Sequence, residues 1–106
     1  MTKGENVMLF QSKTDTTPTA RDRRNRMAGL WAAELLGLLG HAARDYAHDL
    51  THAHAQDHDG DGDEKLIQRL GKDLRGKVDI HEIREKLSHL LHEAGRQLHH
   101  QDPDKH

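Results

Sequence analysis

The spacing of apolar residues in the last third of the chain restricts its fold more than any other feature. They recur at steps of three, four and one, which places them on one side of a helix with 3.6 residues per turn. These residues are Ile80, Ile83, Leu87, Leu90, Leu91, Ala94 and Leu98. Asp79 and Glu82 form a capping box, and Val78 and Ile83 occupy the positions of a hydrophobic staple. The pattern predicts a long helix in which Gly95 is a poor helix former.

A second long helix is predicted in the first half of the chain. Thr19 and Asp22 resemble a capping box, and Gly40 is expected to end the helix. Its predicted inward face consists of Met27, Leu30, Trp31, Leu35, Leu38 and Leu39, whose spacing has the helical period. Arg24 and Glu34 are expected on the opposite face. Core packing is therefore the predicted role of the single Trp.

Two shorter helices are predicted between these long ones. The first runs from His41 to about Gln56 and carries a stripe of Ala43, Tyr46, Ala47 and Leu50. The other begins near Asp63 and ends at Gly76, with Leu66, Ile67, Leu70 and Leu74 facing inward. His54 is the one histidine expected on the apolar side of its helix, where a hydrogen-bonded core residue is the commoner role.

Four amphipathic helices cannot bury their apolar faces singly, so the predicted fold is all-α, a small four-helix bundle over residues 19–100. Residues 1–18 are polar and largely aperiodic, which predicts a disordered N-terminal tail. A disordered C-terminus is expected over residues 101–106. With 106 residues the chain can build one modest core.

Composition excludes several classes of protein. The chain has no Cys, which fits the cytoplasm, and its formal charge of −2 gives no general attraction to nucleic acid. No apolar run approaches the roughly 20 residues of a membrane-spanning helix, so no direct membrane insertion is expected. The sequence also lacks a nucleophile motif and a phosphate-binding loop. We therefore predict a protein that is not an enzyme, needs no cofactor and is monomeric when free.

The acidic stretch Asp57–Asp63 resembles the first part of a calcium loop. Carboxylates stand at positions 1, 3 and 5, and a glycine stands at position 6. The candidate ligands are Asp57, Asp59, Asp61 and Asp63. Position 12 is Gln68 instead of a bidentate Glu, so weak calcium binding is the most that this pattern supports. The alternative, which we favour, is a hinge whose last acids lie at the positive end of a helix.

The eleven histidines suggest two further hypotheses. His48 and His52 are one helical turn apart and supply half of a transition-metal site, although solvated histidines are the commoner explanation. Because histidines titrate near neutral pH, the chain is also a candidate for a pH-sensitive adaptor of other proteins. A metal-binding helical module and such an adaptor are therefore the alternative functions.

A cluster of arginines marks the start of the first predicted helix. Together with Asp22 it has a local charge of +3, because four arginines face one acid. The cluster consists of Arg21, Arg23, Arg24 and Arg26. Arginine in the first turn opposes the helix dipole, and acidic groups of a partner would relieve this. A partner-binding surface and a solvated helix end are the two interpretations of this cluster.

The same region resembles a known family, the zeta subunit of the F-type ATP synthase of alpha-proteobacteria. The resemblance lies in Arg23-Arg24-Asn25-Arg26, Gly29-Leu30-Trp31-Ala32-Ala33-Glu34, Leu36-Gly37 and Tyr46-Ala47. Weaker matches are Val78-Asp79-Ile80 and Glu82-Ile83-Arg84, so the resemblance extends over residues 21–98. The residues taken as its core signature are Met27, Leu30, Trp31, Leu35, Leu38, Tyr46, Ile83 and Leu87.

This resemblance implies a four-helix bundle that binds the catalytic head of the synthase. It also implies inhibition of ATP hydrolysis through a mobile N-terminal segment, and a cytoplasmic position peripheral to the inner membrane. In this chain the segment departs from the charged and aromatic pattern of the family, because Phe10 is its only aromatic residue. No inhibitory residue is therefore assigned in it.

Overall fold

The computed structural model describes residues 15–55 and 60–100, and four helices account for most of them. They are α1 (Pro18–Leu35), α2 (Gly40–Ala53), α3 (Gly60–Asp73) and α4 (Ile80–His100). The described residues contain no strand, and the predicted all-α fold is confirmed. None of the described helices is long and apolar enough to cross a bilayer. Residues 1–14, 56–59 and 101–106 lie outside the described residues, and so the predictions of disorder at the two ends concern residues that are not described.

Helix α1 begins earlier than the sequence pattern indicated. Thr17 is its N-cap, and the Thr17 hydroxyl accepts a hydrogen bond from the Ala20 amide at 3.2 Å. Pro18 is the first helical residue, where the missing N–H of proline costs nothing and its fixed φ favours the helix. The cap predicted at Thr19 is therefore wrong, because Thr17 with Pro18 provides the stronger start.

Helix α1 also ends before Gly40, the predicted stop. Gly37 has a φ of 80°, a left-handed conformation that suits a residue without Cβ. The Gly37 amide donates to the Glu34 carbonyl at 3.1 Å, and the Leu38 amide donates to the Ala33 carbonyl at 2.9 Å. This pair of bonds is a Schellman motif, which satisfies carbonyls at the helix end. Gly40 instead becomes the first residue of α2.

The buried face of α1 differs from the predicted one. Its buried residues are Ala20, Arg24, Asn25, Ala28, Gly29, Ala32 and Ala33. Leu30 is 44% exposed and Leu39 is 83% exposed, so both were wrongly placed in the core, and Arg24 was wrongly placed on the outer face. A Cβ on Gly29 would lie 2.6 Å from the Ala47 Cα. The small residues let α1 and α2 approach closely, and this contact decides which face of α1 is buried.

The predicted inward faces of α3 and α4 are largely confirmed. Leu66, Ile67, Leu70 and Leu74 are buried, as are Ile83, Leu87, Leu90, Leu91 and Ala94. The capping box forms reciprocally: the Asp79 amide donates to Glu82 at 3.1 Å, and the Glu82 amide donates to Asp79 at 2.8 Å. Leu98 is half-buried, and Ile80 lies at the edge of the core against Gly71 and is 36% exposed.

The core gathers residues from all four helices. Leu50 of α2 and Ala28 and Ala32 of α1 join the buried residues of α3 and α4. Met27, Trp31, Leu35, Leu36, Tyr46 and Val78 are partly buried against this core. Of the signature residues predicted from the sequence, Leu38 is half-buried, and Leu30 is the one that the structure places on the surface.

A polar network joins α2 to α3 at the edge of this core. The Tyr46 hydroxyl donates to Asp73 Oδ2 at 2.6 Å, and Arg69 Nε donates to the same oxygen at 3.0 Å. Burial and the bond to Asp73 raise the pKa of Tyr46. Burial opposes ionisation of Asp73, but the bonds from Tyr46 and Arg69 outweigh it and lower the pKa of Asp73. The network therefore holds Asp73 ionised between two helices.

Candidate functional site at the start of the first helix

The arginine cluster lies over the first three turns of α1, and its members have different environments. Arg24 is 3% exposed, and its Nε donates to Asn25 Oδ1 at 2.8 Å. Its Nη2 donates to Asp63 Oδ1 at 2.9 Å. A buried guanidinium needs such partners because desolvation of an unpaired charge is costly. Arg24 therefore holds α1 against the beginning of α3.

Asp63 is the acceptor shared by two arginines. Besides Arg24, Arg21 Nη1 donates to the same Oδ1 at 2.8 Å. Arg21 Nε also donates to the Thr16 carbonyl at 3.2 Å, so this side chain joins α3 to the segment before α1. The sequence pattern indicated two roles for Asp63, a calcium ligand and an acid at a helix start. Its position in the first turn of a helix was the one available signal for a structural role.

The two remaining arginines lie further around α1. Arg23 Nη1 donates to Gln97 Oε1 of α4 at 3.0 Å. Arg26 is exposed and lines a cleft between α1 and α2. Two of the four arginines are thus tied to Asp63, Arg23 reaches α4, and Arg26 is directed to the surface. Partner binding by this cluster stays a prediction.

The cleft beside Arg26 has a volume of about 560 Å³. Its lining residues are Asp22, Arg26, Leu30, Arg44, Asp45, Ala47, His48, Thr51, His52 and Ala55. Its apolar lining residues are Leu30, whose side chain is exposed, Ala47 and Ala55. Asp22 Oδ1 is buried and accepts no hydrogen bond within the described residues. The cleft therefore combines an apolar floor with charged groups of both signs.

The candidate metal ligands do not form a site in the part of the chain that the structure describes. The rings of His48 and His52 stack with centroids 6.0 Å apart. No three His, Cys, Asp or Glu side chains among the described residues are grouped to hold a metal ion. The metal alternative stays a prediction without support from this geometry.

The acidic stretch is only partly visible. Asp57 and Asp59 lie outside the described residues, while Asp61 and Asp63 belong to α3, which begins at Gly60. A calcium loop needs a sharp turn at its sixth position, which here is the helical Gly62. The observed helix start agrees better with the hinge interpretation than with a calcium loop.

A second groove lies between the end of α1 and the beginning of α4. Trp31, Leu35 and Val78 form its apolar part, and Glu82, Glu85, Lys86 and His89 complete its lining. The Lys86 ammonium lies 5.6 Å from the centroid of the Trp31 ring, within reach of a cation–π interaction. Trp31 thus packs on the core with one side and lines a groove with the other.

His54, which was predicted to face inward, is 9% exposed.

The segment before α1 contacts the far end of α4. The Asp15 carboxylate accepts from the Thr17 amide at 2.9 Å and lies 3.3 Å from His99 Nε2. Asp15 also packs on Gly95, where an added Cβ would lie 2.8 Å from the Asp15 Cβ. Residues 15–17 were predicted to belong to the disordered tail, whereas in the structure Asp15 packs on Gly95 and Thr17 caps α1. The Asp-x-Thr-Pro pattern was the signal for this helix start.

Comparison with known proteins agrees with the features of α1. The sequence model of the ATPase inhibitor subunit zeta family matches residues 5–97. Neither curated proteins nor solved structures gave a match. The family match covers the arginine cluster, the small-residue face of α1 and all but the last residues of α4. The chain therefore belongs to the ATPase inhibitor subunit zeta family.

Proposed function

We propose that this chain is a regulatory subunit that binds the catalytic head of a bacterial F-type ATP synthase and inhibits ATP hydrolysis. The observation that carries the proposal is the family match, which begins at residue 5 and so includes most of the segment before α1. An inhibitor subunit is a regulatory component, which agrees with the expectation that the chain is not an enzyme. Its place in the cell would then be the cytoplasmic side of the inner membrane, at the synthase.

The bundle provides a rigid support for the N-terminal segment. Ion pairs of Arg21 and Arg24 fix the first turns of α1 to α3, and Asp15 fixes the preceding residues to α4. Asp15 is therefore held at a defined point of the fold. In the proposed mechanism the bundle binds the catalytic head, and residues 1–14 obstruct its rotation in the hydrolytic direction.

The surface proposed for docking includes Arg26 and the adjoining rim of the cleft. Arg26 is exposed, and Arg44 brings a second guanidinium to the same cleft. Guanidinium groups on a rim favour a partner surface that carries carboxylates, since charge-assisted hydrogen bonds to acids are strong. The exposed side chain of Leu30 adds an apolar contact in the same place.

The direct test measures ATP hydrolysis by the purified catalytic head with the full chain and with a variant that starts at Asp15. This deletion keeps the Thr17 cap, so it removes the segment without removing the start of α1. We expect both proteins to bind the catalytic head and only the full chain to inhibit it. Absence of binding and inhibition by the full chain at micromolar concentration would refute the proposed function.

The docking surface is tested separately with Arg26→Glu. Reversal of one interfacial charge should weaken binding to the catalytic head by about tenfold, which corresponds to about 1.4 kcal/mol. The matched control is Arg75→Glu, because Arg75 is also exposed but follows α3. Equal affinities of the two variants would exclude Arg26 from the interface.

A further inference from the structure

We propose that Asp15, Gly95 and His99 form a latch that fixes the base of the N-terminal segment to α4. In this latch Asp15 packs on the backbone of α4 at Gly95, the contact position. The latch fixes Asp15, the first of the described residues, to the far end of α4. Only its effect on inhibition rests on the proposed function, because the latch itself is a property of the free chain.

The first support is the absence of space between Asp15 and α4. An added Cβ on Gly95 would lie 2.8 Å from the Asp15 Cβ and 3.6 Å from the Asp15 amide nitrogen. A contact of 2.8 Å cannot be relieved by rotation of a flexible side chain end, because Cβ moves with the backbone. Any side chain at residue 95 therefore displaces the backbone of Asp15.

The second support is that both oxygens of the Asp15 carboxylate are engaged. Oδ1 accepts from the Thr17 amide at 2.9 Å, and Oδ2 lies 3.3 Å from His99 Nε2. The Asp15 side chain is 14% exposed, which is low for an acid at the edge of a helical bundle. The bonds from Thr17 and the interaction with His99 hold the pKa of Asp15 below its usual value. The carboxylate thus joins the segment both to the start of α1 and to α4.

The third support is a link on the other side of the segment. Arg21 Nε donates to the Thr16 carbonyl at 3.2 Å while Arg21 Nη1 donates to Asp63. Residues 15–17 are thereby held between α3 and α4. The latch also explains a glycine in the interior of α4, where this residue type is a poor helix former.

The test uses ¹⁵N relaxation of the full chain to measure the order parameters of the Thr16 and Thr17 amides. We expect values of about 0.85 in the unsubstituted protein, typical of rigid backbone, and below about 0.6 in both Gly95→Ala and Asp15→Ala. Gly95→Ala keeps the Asp15 carboxylate but fills the space at residue 95 that Asp15 needs. Asp15→Ala leaves that space open and removes the carboxylate. The two variants therefore disrupt the latch from opposite sides.

The matched control is Gly71→Ala in α3. An added Cβ there would meet only the end of the Ile80 side chain, far from the latch in the chain. Its Thr16 and Thr17 order parameters should remain those of the unsubstituted protein. Melting temperatures separate mobility from unfolding, since Gly95→Ala gains helix propensity and should leave the melting temperature of the bundle nearly unchanged.

A second readout connects the latch to inhibition. If the fixed position of Asp15 supports inhibition, its loss should raise the concentration for half-inhibition of ATP hydrolysis at least roughly threefold in both variants. Unchanged order parameters in both variants would overturn the latch. Lower order parameters with unchanged inhibition would overturn its positioning role. Lack of inhibition by the unsubstituted chain would refute the proposed function, while the order parameters would still decide the latch.

Discussion

At the scale of single residues, Gly29 determines how α1 packs. An added Cβ would lie 2.6 Å from the Ala47 Cα and 2.9 Å from the Ala47 Cβ, so backbone would have to move. We expect Gly29→Ala to lower the free energy of unfolding by about 1–3 kcal/mol, the usual cost of overpacking. Urea denaturation followed by the fluorescence of Trp31 measures this. Gly71→Ala is the control, and equal losses in the two variants would contradict the close approach.

The Asp63 carboxylate makes a second prediction at this scale. Asp63→Asn should cost about 2 kcal/mol of stability, because the nearly buried Arg24 and the adjacent Arg21 lose their ionised acceptor. Asp49→Asn removes the 74% exposed partner of Arg69, and its cost should stay below about 0.5 kcal/mol. Thermal unfolding at pH 7 compares the two. A cost for Asp63→Asn no larger than that of the control would show that the pair is not stabilising.

The contacts of Arg24 also show where the sequence was insufficient. Arg24 and Asp63 are 39 residues apart, and no periodicity within either helix relates them. An arginine in a basic cluster is usually solvated, so its burial depends on a pairing that exists only after the helices have packed. Asp63 was expected near the start of its helix, where it lies, but its pairing with Arg21 and Arg24 could not be predicted for the same reason. Roles that arise from one helix meeting another require the tertiary structure.

At the scale of helices, the capping box of α4 makes a sharp prediction. Asp79→Ala removes the acceptor of the Glu82 amide but keeps the residue 79 amide that donates to the Glu82 side chain, so we expect a loss of about 1 kcal/mol. The control is Glu85→Ala, one turn further on, where the contact with His81 is highly exposed. Chemical denaturation of both variants provides the comparison. Equal stabilities would mean that packing alone holds the start of α4.

Helices α3 and α4 could be predicted well because leucine and isoleucine contrast strongly with their polar neighbours. The fully buried residues of α1 could not, because alanine and glycine carry little hydropathic contrast. Trp31 and Leu35, which were predicted to face inward, pack on the edge of the core, while Leu30 is exposed. The predicted ends of α1 were wrong where two residues gave the same signal. Thr17 and Thr19 are both possible N-caps, and Gly37 and Gly40 are both possible helix stops. Local turn chemistry decided both cases.

At the scale of the whole molecule, four carboxylates make the free energy of unfolding depend on pH in the acid range. Hydrogen bonds from Thr17, Arg84 and Arg96 lower the pKa of Asp15, Glu64 and Glu93, respectively, and Asp73 is lowered by its bonds despite burial. A lowered native pKa means that the unfolded chain binds protons first as pH falls. Their stabilisation is therefore complete above the usual carboxyl pKa values and is lost progressively below them.

We expect the contribution of these carboxyl groups to the free energy of unfolding to be nearly constant above about pH 5.5. It should fall from about pH 4.5 downwards. Urea denaturation at a series of pH values measures the slope. Asp73→Asn should make the acid slope shallower, because one of the four groups no longer binds a proton. A slope identical to that of the unsubstituted chain would show that Asp73 does not contribute.

Asp63 is both a structural acceptor of two arginines and a carboxylate of the acidic stretch, which could attract a cation. One carboxylate oxygen accepts from both Arg21 and Arg24, so a cation at this position would compete with two guanidinium groups that are already bound. By thermodynamic linkage each competitor weakens the other by the same factor. Calcium bound through Asp63 would therefore loosen the attachment of α1 to α3. A divalent ion at this position would act as an antagonist of the native packing.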